Sequence, residues 1–133
     1  MSTLKRAVIT GIGAISCIGN NISEITKSLK SGTSGIRFNE SYKELGMRSH
    51  ISGSINLNLK DLIDRKHLRF MGEAASYAYL SAAEAIKDSG LDLSRFSSLD
   101  VGVIAGSGGA SSRSQVEAAD IVKSKGVKRI GPY

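Results

Sequence analysis

Two kinds of hydrophobic run follow one another along this chain. Arg6-Ala7-Val8-Ile9-Thr10 is β-branched and ends at Gly11, the pattern of a short buried strand closed by a glycine turn. Asn21, followed three residues later by Glu24, has the spacing of a capping box. Behind it Ile22, Ile25 and Leu29 recur at helical spacing, and Gly32 ends the helix. The opening therefore reads strand, glycine loop, helix.

Ser31 to Asn58 mixes Gly, Ser, Asn and short apolar pieces, which predicts a long surface excursion with one hairpin. From Phe70 to Lys87 the chain is helical in character. Ala74, Ala75, Ala78, Ala82, Ala83 and Ala85 put small residues on several faces, so the helix is expected to be buried on more than one side. Gly90 with Leu91 supplies a C-terminal cap and its hydrophobic contact. Asp100 to Ala105 is apolar enough for a strand buried on both faces, as in a parallel sheet. Ser112 and Gln115 predict another capping box, with Val116, Ala119 and Val122 as the apolar stripe of the last helix. Alternating strands and helices point to an α/β layer fold. Two central strands fall short of the about four that an open sheet usually has, so the sheet is expected to be unfinished in this chain.

Composition narrows the class. The 133 residues are 41% hydrophobic and 23% charged, a globular balance. Eighteen Lys plus Arg (18) against 12 Asp plus Glu give a net charge of +6, which suits an anionic partner. A single cysteine cannot form an internal disulfide and fits a reducing compartment. No apolar run approaches the roughly 18 residues of a membrane span, and the glycine-broken stretch after Lys5 and Arg6 is no signal peptide. The reading is cytoplasmic, with no membrane association.

The glycine loops invite ligand-binding readings. Gly11 and Gly13 begin a dinucleotide fingerprint, but Ser16 replaces its third glycine and no acidic residue ends a second strand at the required distance. A strand-ending turn is favoured. Gly106-Ser107-Gly108-Gly109 lies at the carboxyl end of a predicted strand, where α/β folds bind ligands, without the Gly-Lys-Ser/Thr ending of a P-loop. Its glycines suit either close approach of another chain or apolar ligand, or a tight turn into the next helix. Ser107 sits in no nucleophile elbow. Cys17 has no sequence reason to meet His50 or His67 and reads as structural.

Two basic clusters carry more weight. Arg65, Lys66 and Arg69 fall on one short stretch, with 65 and 69 on one helical face. Lys123, Lys125, Lys128 and Arg129 form a second cluster with no acid among them. Nucleic-acid binding would call for interleaved aromatics, and Phe70 is the only one nearby. An acidic or phosphorylated protein partner fits better than nucleic acid.

Taken together, Arg6 to Gly11, Gly46-Met47-Arg48-Ser49-His50, Leu62-Ile63-Asp64-Arg65-Lys66, Ile104 to Gly109 and Gly131-Pro132-Tyr133 resemble the amino-terminal third of the β-ketoacyl-acyl-carrier-protein synthases. Within that family the chain is most similar to the synthase I type of bacterial type II fatty acid synthesis, over essentially its whole length. The resemblance implies a thiolase-like, layered α/β fold, incomplete in this chain. Residues 1–133 would form the amino-terminal portion of one domain with no internal boundary, in a homodimer. It implies an acyltransferase of fatty acid elongation, which condenses an acyl chain held as a thioester with malonyl-carrier protein, with no cofactor and no metal. The family's catalytic cysteine and two histidines lie beyond Tyr133, so no catalytic role is given to any residue here, and the chain alone is expected to be inactive. Cys17, His50 and His67 do not match those motifs. Arg65, Lys66 and Arg69 match the patch that docks the acyl carrier protein, Lys125 and Lys128 its second part, and Gly108 and Gly109 the turn lining the acyl pocket. The rival reading is a standalone basic α/β module for an acidic protein or a nucleotide.

Overall fold

A computed structural model describes residues 6–92, 94 and 101–130. The chain divides into two compact units, Met1–Leu57 with Leu80–Asp92, and Asn58–Tyr79 with Leu93–Tyr133.

In the first unit, α1 spans Ile22–Ser31. Half of its predicted capping box forms: Asn21 Oδ1 accepts from the Glu24 N–H at 2.9 Å, while Glu24 Oε2 accepts at 2.8 Å from the N–H of Asn20, one residue before the cap. Gly32 closes the helix at φ 64°, a left-handed conformation that glycine adopts without a Cβ penalty. The stripe differs from the predicted one. Ile22 and Ile25 are half-buried, but Leu29 is exposed and Ser28 takes its place. The reason is polar: Ser28 Oγ donates to the Ile18 carbonyl at 2.7 Å.

The predicted hairpin is present. β1 (Ile36–Phe38) pairs antiparallel with β2 (Ile51–Gly53), Arg37 opposite Ser52. Between them lies the short helix α2 (Glu40–Glu44), capped by Asn39. Asn39 also donates to Ser52 Oγ at 3.0 Å, so one side chain starts the helix and holds the ribbon. Cys17 lies beneath this ribbon: a Cβ on Gly53 would come within 3.0 Å of its Sγ, and one on Gly35 would collide with its carbonyl oxygen. Cys17 is half-buried rather than fully buried, with the backbone of Gly35 and Gly53 against it.

The long helix α5 runs over Glu73–Ser89. Its last turns carry the glycine loop of the first unit. A Cβ on Gly11 would meet the Ala85 carbonyl, and one on Gly13 the Ser81 carbonyl, with Ala85 N only 2.7 Å away. These glycines let one backbone lie directly on another, a more specific role than the strand-ending turn predicted. Asp88 Oδ2 accepts from the Ile12 N–H at 3.0 Å, and Glu84 accepts from both Ala14 and Ile22.

In the second unit, α3 (Leu59–Leu62) and α4 (Arg65–Leu68) are single turns, followed by the start of α5 and by α6 (Ser112–Lys125). Val127–Arg129 adds one 3-10 turn. Short helices need their caps, because nucleation fixes several residues for little return. Asn58 caps α3 and Asp64 caps α4. Ile63 between them is 4% exposed and anchors the pair. The N-cap of α6 is Ser111, which accepts from the Ser114 N–H at 3.2 Å, so Ser112 is the first helical residue and the predicted box with Gln115 does not form.

Two further expectations are corrected. Arg6 to Thr10 and Val101 to Ala105 take no strand pairing among the described residues, and Asp100 lies outside them. Ile9 is 84% and Val103 88% exposed. A strand is stabilised by ladder bonds to neighbours, and the only ladder among the described residues is that of β1 and β2. The alanine-rich helix forms, three residues later at its start than predicted, but it is not buried: Ala74, Ala75, Ala78, Ala82 and Ala83 are exposed. Ser76 alone is fully buried, its Oγ donating to the Gly72 carbonyl at 3.1 Å.

Candidate functional site

The first predicted cluster sits on α4. Asp64 Oδ1 accepts from the Lys66 N–H at 2.7 Å, fixing the turn on which the cations stand. Arg69 follows as the C-cap in right-handed helical conformation, so the four-residue spacing that puts Arg65 and Arg69 on one face holds. Arg65, Lys66 and Arg69 are all exposed. None forms an ion pair among the described residues, where the pairs are Lys43–Glu40 and Arg113–Glu73. The Arg69 guanidinium lies 4.3 Å from the centre of the Phe70 ring. With no carboxylate partner among the described residues, the three cations are available to an anionic surface.

The second cluster stands at the end of α6. Lys123 and Lys125 fall in its last turn, where positive charge complements the helix dipole. Gly126, at φ 80°, turns the chain into the 3-10 turn that carries Lys128 and Arg129. A shallow hollow of about 570 Å³ is lined by Ile121, Lys125 and Arg129. Lys125 and Lys128 are exposed. Arg129, given no role by sequence, lines this hollow beside Lys125.

The glycine turn borders a larger apolar groove of about 690 Å³. Its walls come from the first turns of α5 (Ala74, Ala75, Ala78), from Phe70, and from the start of α6 (Ser114, Ala118). Gly109 lines the groove and Gly108 does not. Ser107 Oγ donates to the Gly109 carbonyl at 2.9 Å, holding the turn. A Cβ at Gly108 or Gly109 would meet nothing within 4 Å, and neither has positive φ. Close contact among the described residues does not explain these glycines.

Beside the groove, Glu73 accepts a 2.8 Å ion pair from Arg113, tying the start of α5 to α6. The half-buried Tyr77 phenol has its pKa raised, first by desolvation and then by the Glu73 carboxylate, with Arg113 opposing. Sequence reading missed Tyr77 and this ion pair, because nothing in their spacing connects positions 40 residues apart.

His50 meets Phe38 edge-to-face at 6.0 Å, and His67 is exposed on α4. Among the described residues no group of His, Cys, Asp and Glu could hold a metal ion, and no helix is long and apolar enough to cross a membrane.

The sequence matches the family profile "Beta-ketoacyl synthase, N-terminal domain" over residues 5–131. It is 50% identical over 131 residues to 3-oxoacyl-acyl-carrier-protein synthase 1 of Haemophilus influenzae, covering 98% of this chain and 32% of that protein. Synthase 1 of Escherichia coli K12 is also 50% identical, over 132 residues with the same shares of 98% and 32%. Synthase 2 of Staphylococcus aureus is 34% identical over 134 residues, covering 100% of this chain and 32% of that protein. The chain thus spans 32% of the length of these curated relatives.

Proposed function

Since this chain belongs to the β-ketoacyl synthase family, we propose that it is the amino-terminal portion of a condensing enzyme of fatty acid elongation, and that its basic clusters receive an acyl carrier protein. The observation that carries the reading is the family match over residues 5–131. The names of the relatives at 50% identity support the reaction class and the carrier.

In that reaction an acyl chain is held as a thioester on an enzyme cysteine. Malonyl-carrier protein loses carbon dioxide, and the enolate carbon attacks the thioester carbonyl. The carbon–sulfur bond breaks, the thiolate leaves and takes up a proton, and 3-oxoacyl-carrier protein is formed. Donors aimed at the developing oxyanion and enolate lower the barrier. We assign the cysteine and those donors to residues outside this chain.

This chain's own contribution is docking and enclosure. Arg65, Lys66 and Arg69, with Lys125 and Lys128, present to an acidic carrier positive charge that has no ion-pair partner among the described residues. The groove bordered by Gly109 would accept part of the acyl chain, and the absence of a side chain at Gly109 leaves it room to lengthen. The exposed Val8, Ile9, Val103 and Ile104 are suited to a central position in the layered, thiolase-like sheet of a cytoplasmic homodimer.

The test is a condensation assay with acyl- and malonyl-carrier protein. The full-length protein carrying this sequence is expected to release carbon dioxide and form 3-oxoacyl-carrier protein, and this chain alone to form none. A full-length protein that forms no such product sinks the reading, and turnover by the chain alone overturns the assignment of the chemistry outside it.

A further inference from the structure

We infer that Phe70 is a positioning residue for carrier docking, holding the Arg69 guanidinium over its ring so that its N–H donors are presented to an acidic partner. The inference rests on the docking reading above.

Arginine has a long side chain that loses much rotamer freedom when it is fixed on a partner. A guanidinium stacked on an aromatic face is already restrained, and its in-plane N–H donors remain available to a carboxylate or phosphate. Arg69 meets those conditions. Its guanidinium carbon lies 4.3 Å from the Phe70 centroid, and it has no carboxylate partner among the described residues. Its backbone is fixed as the C-cap of α4. The Phe70 N–H in turn donates to the His67 carbonyl at 3.0 Å, which fixes the backbone beneath the ring. Arg65 and Lys66 lack any such aromatic support among the described residues.

Phe70 also explains a sequence feature left without a role. A large ring at the start of an apolar helix is expected to be buried, yet this one is 47% exposed. It lies in the wall of the apolar groove while carrying the cation. An exposed aromatic that restrains an arginine and borders the groove fits a carrier that docks by charge and delivers an apolar chain.

The experiment measures the Kd of holo-acyl carrier protein for the full-length protein carrying this sequence, as wild type, F70L, F70Y, R69Q and the F70L/R69Q double variant. Exposed cation–π pairs correspond to about two- to fivefold in affinity. F70L, which keeps apolar bulk, is expected to weaken binding by about that factor. F70Y, which keeps the ring, restores it, and F70L adds nothing once Arg69 is already Gln. Thermal melting checks that each variant is folded, and F70Y carries the test if F70L is not. Wild-type affinity in F70L, equal weakening by F70L with and without Arg69, or an F70Y that binds poorly while folded would each overturn the positioning role. If R69Q itself binds like wild type, the docking reading falls and the positioning role falls with it.

Discussion

Glu84 accepts the backbone N–H of Ile22, the first residue of α1, at 2.9 Å through one carboxylate oxygen. Its other oxygen accepts from the Ala14 N–H at 3.1 Å. One turn further along α5, Asp88 accepts from Ile12 at 3.0 Å. A glycine loop and a helix N-terminus are therefore fastened by two acids spaced i, i+4 on one helix face. Ile22 is an orphan donor of the kind found in every first helical turn, and a carboxylate there also faces the positive end of the dipole.

Replacing Glu84 with Gln removes the charge and sets an amide N–H₂ against one of two backbone donors. The loss is expected to be about 1–3 kcal/mol, read as a lower urea midpoint with an unchanged slope. Asp88→Asn, with one exposed bond at stake, should cost about 1 kcal/mol or less. Equal midpoints for wild type and Glu84→Gln would show that the fastening does not stabilise the fold.

The glycines separate by mechanism. Gly13→Ala drives a methyl into the α5 backbone beside Ser81 and Ala85, and overpacking of this kind costs about 1–3 kcal/mol. Gly32→Ala has open space but must hold φ 64°, at about 1 kcal/mol. Gly108→Ala meets nothing within 4 Å and is expected to stay within about 0.5 kcal/mol of wild type. Denaturation of the three variants should give that order, and a Gly108→Ala that destabilises most would reverse it.

Tyr77 makes alkaline stability informative. Desolvation first, then the Glu73 carboxylate, raise its pKa above the ordinary 10.0. A raised folded pKa means the folded state holds the proton more tightly. Its contribution is therefore complete below pH 10.0 and is lost as pH climbs through the folded value. Tyr77→Phe, which cannot ionise, should flatten the fall in melting temperature above pH 10.0. An unchanged alkaline profile in Tyr77→Phe would remove Tyr77 as its source.

Local signals were legible in the sequence, and contacts between distant segments were not. The Asn21–Glu24 cap, the stop at Gly32 and the β1–β2 hairpin depend on residues a few positions apart, where spacing is evidence. The Gly11 and Gly13 loop has no local reason to lie on α5, because Ile12 and Asp88 are 76 positions apart. Strand-like runs such as Arg6 to Thr10 report suitability for a sheet, whereas a strand also needs a neighbour to pair with. The alanines of α5 likewise register a tolerance for close packing on faces that the described residues leave exposed. Of the candidate site, the cations at 65, 66 and 69 could be read directly from spacing, while the placing of Arg69 over the Phe70 ring depends on side-chain conformations that spacing does not encode.

The docking claim is tested most directly by the Kd of holo-acyl carrier protein for the full-length protein across a salt series, comparing wild type with Arg65→Glu/Arg69→Glu. Wild-type affinity should fall as ionic strength rises. The double reversal should bind roughly tenfold more weakly at low salt, with a flatter salt dependence. Superimposable salt curves for the two proteins would contradict the assignment of this patch to the carrier.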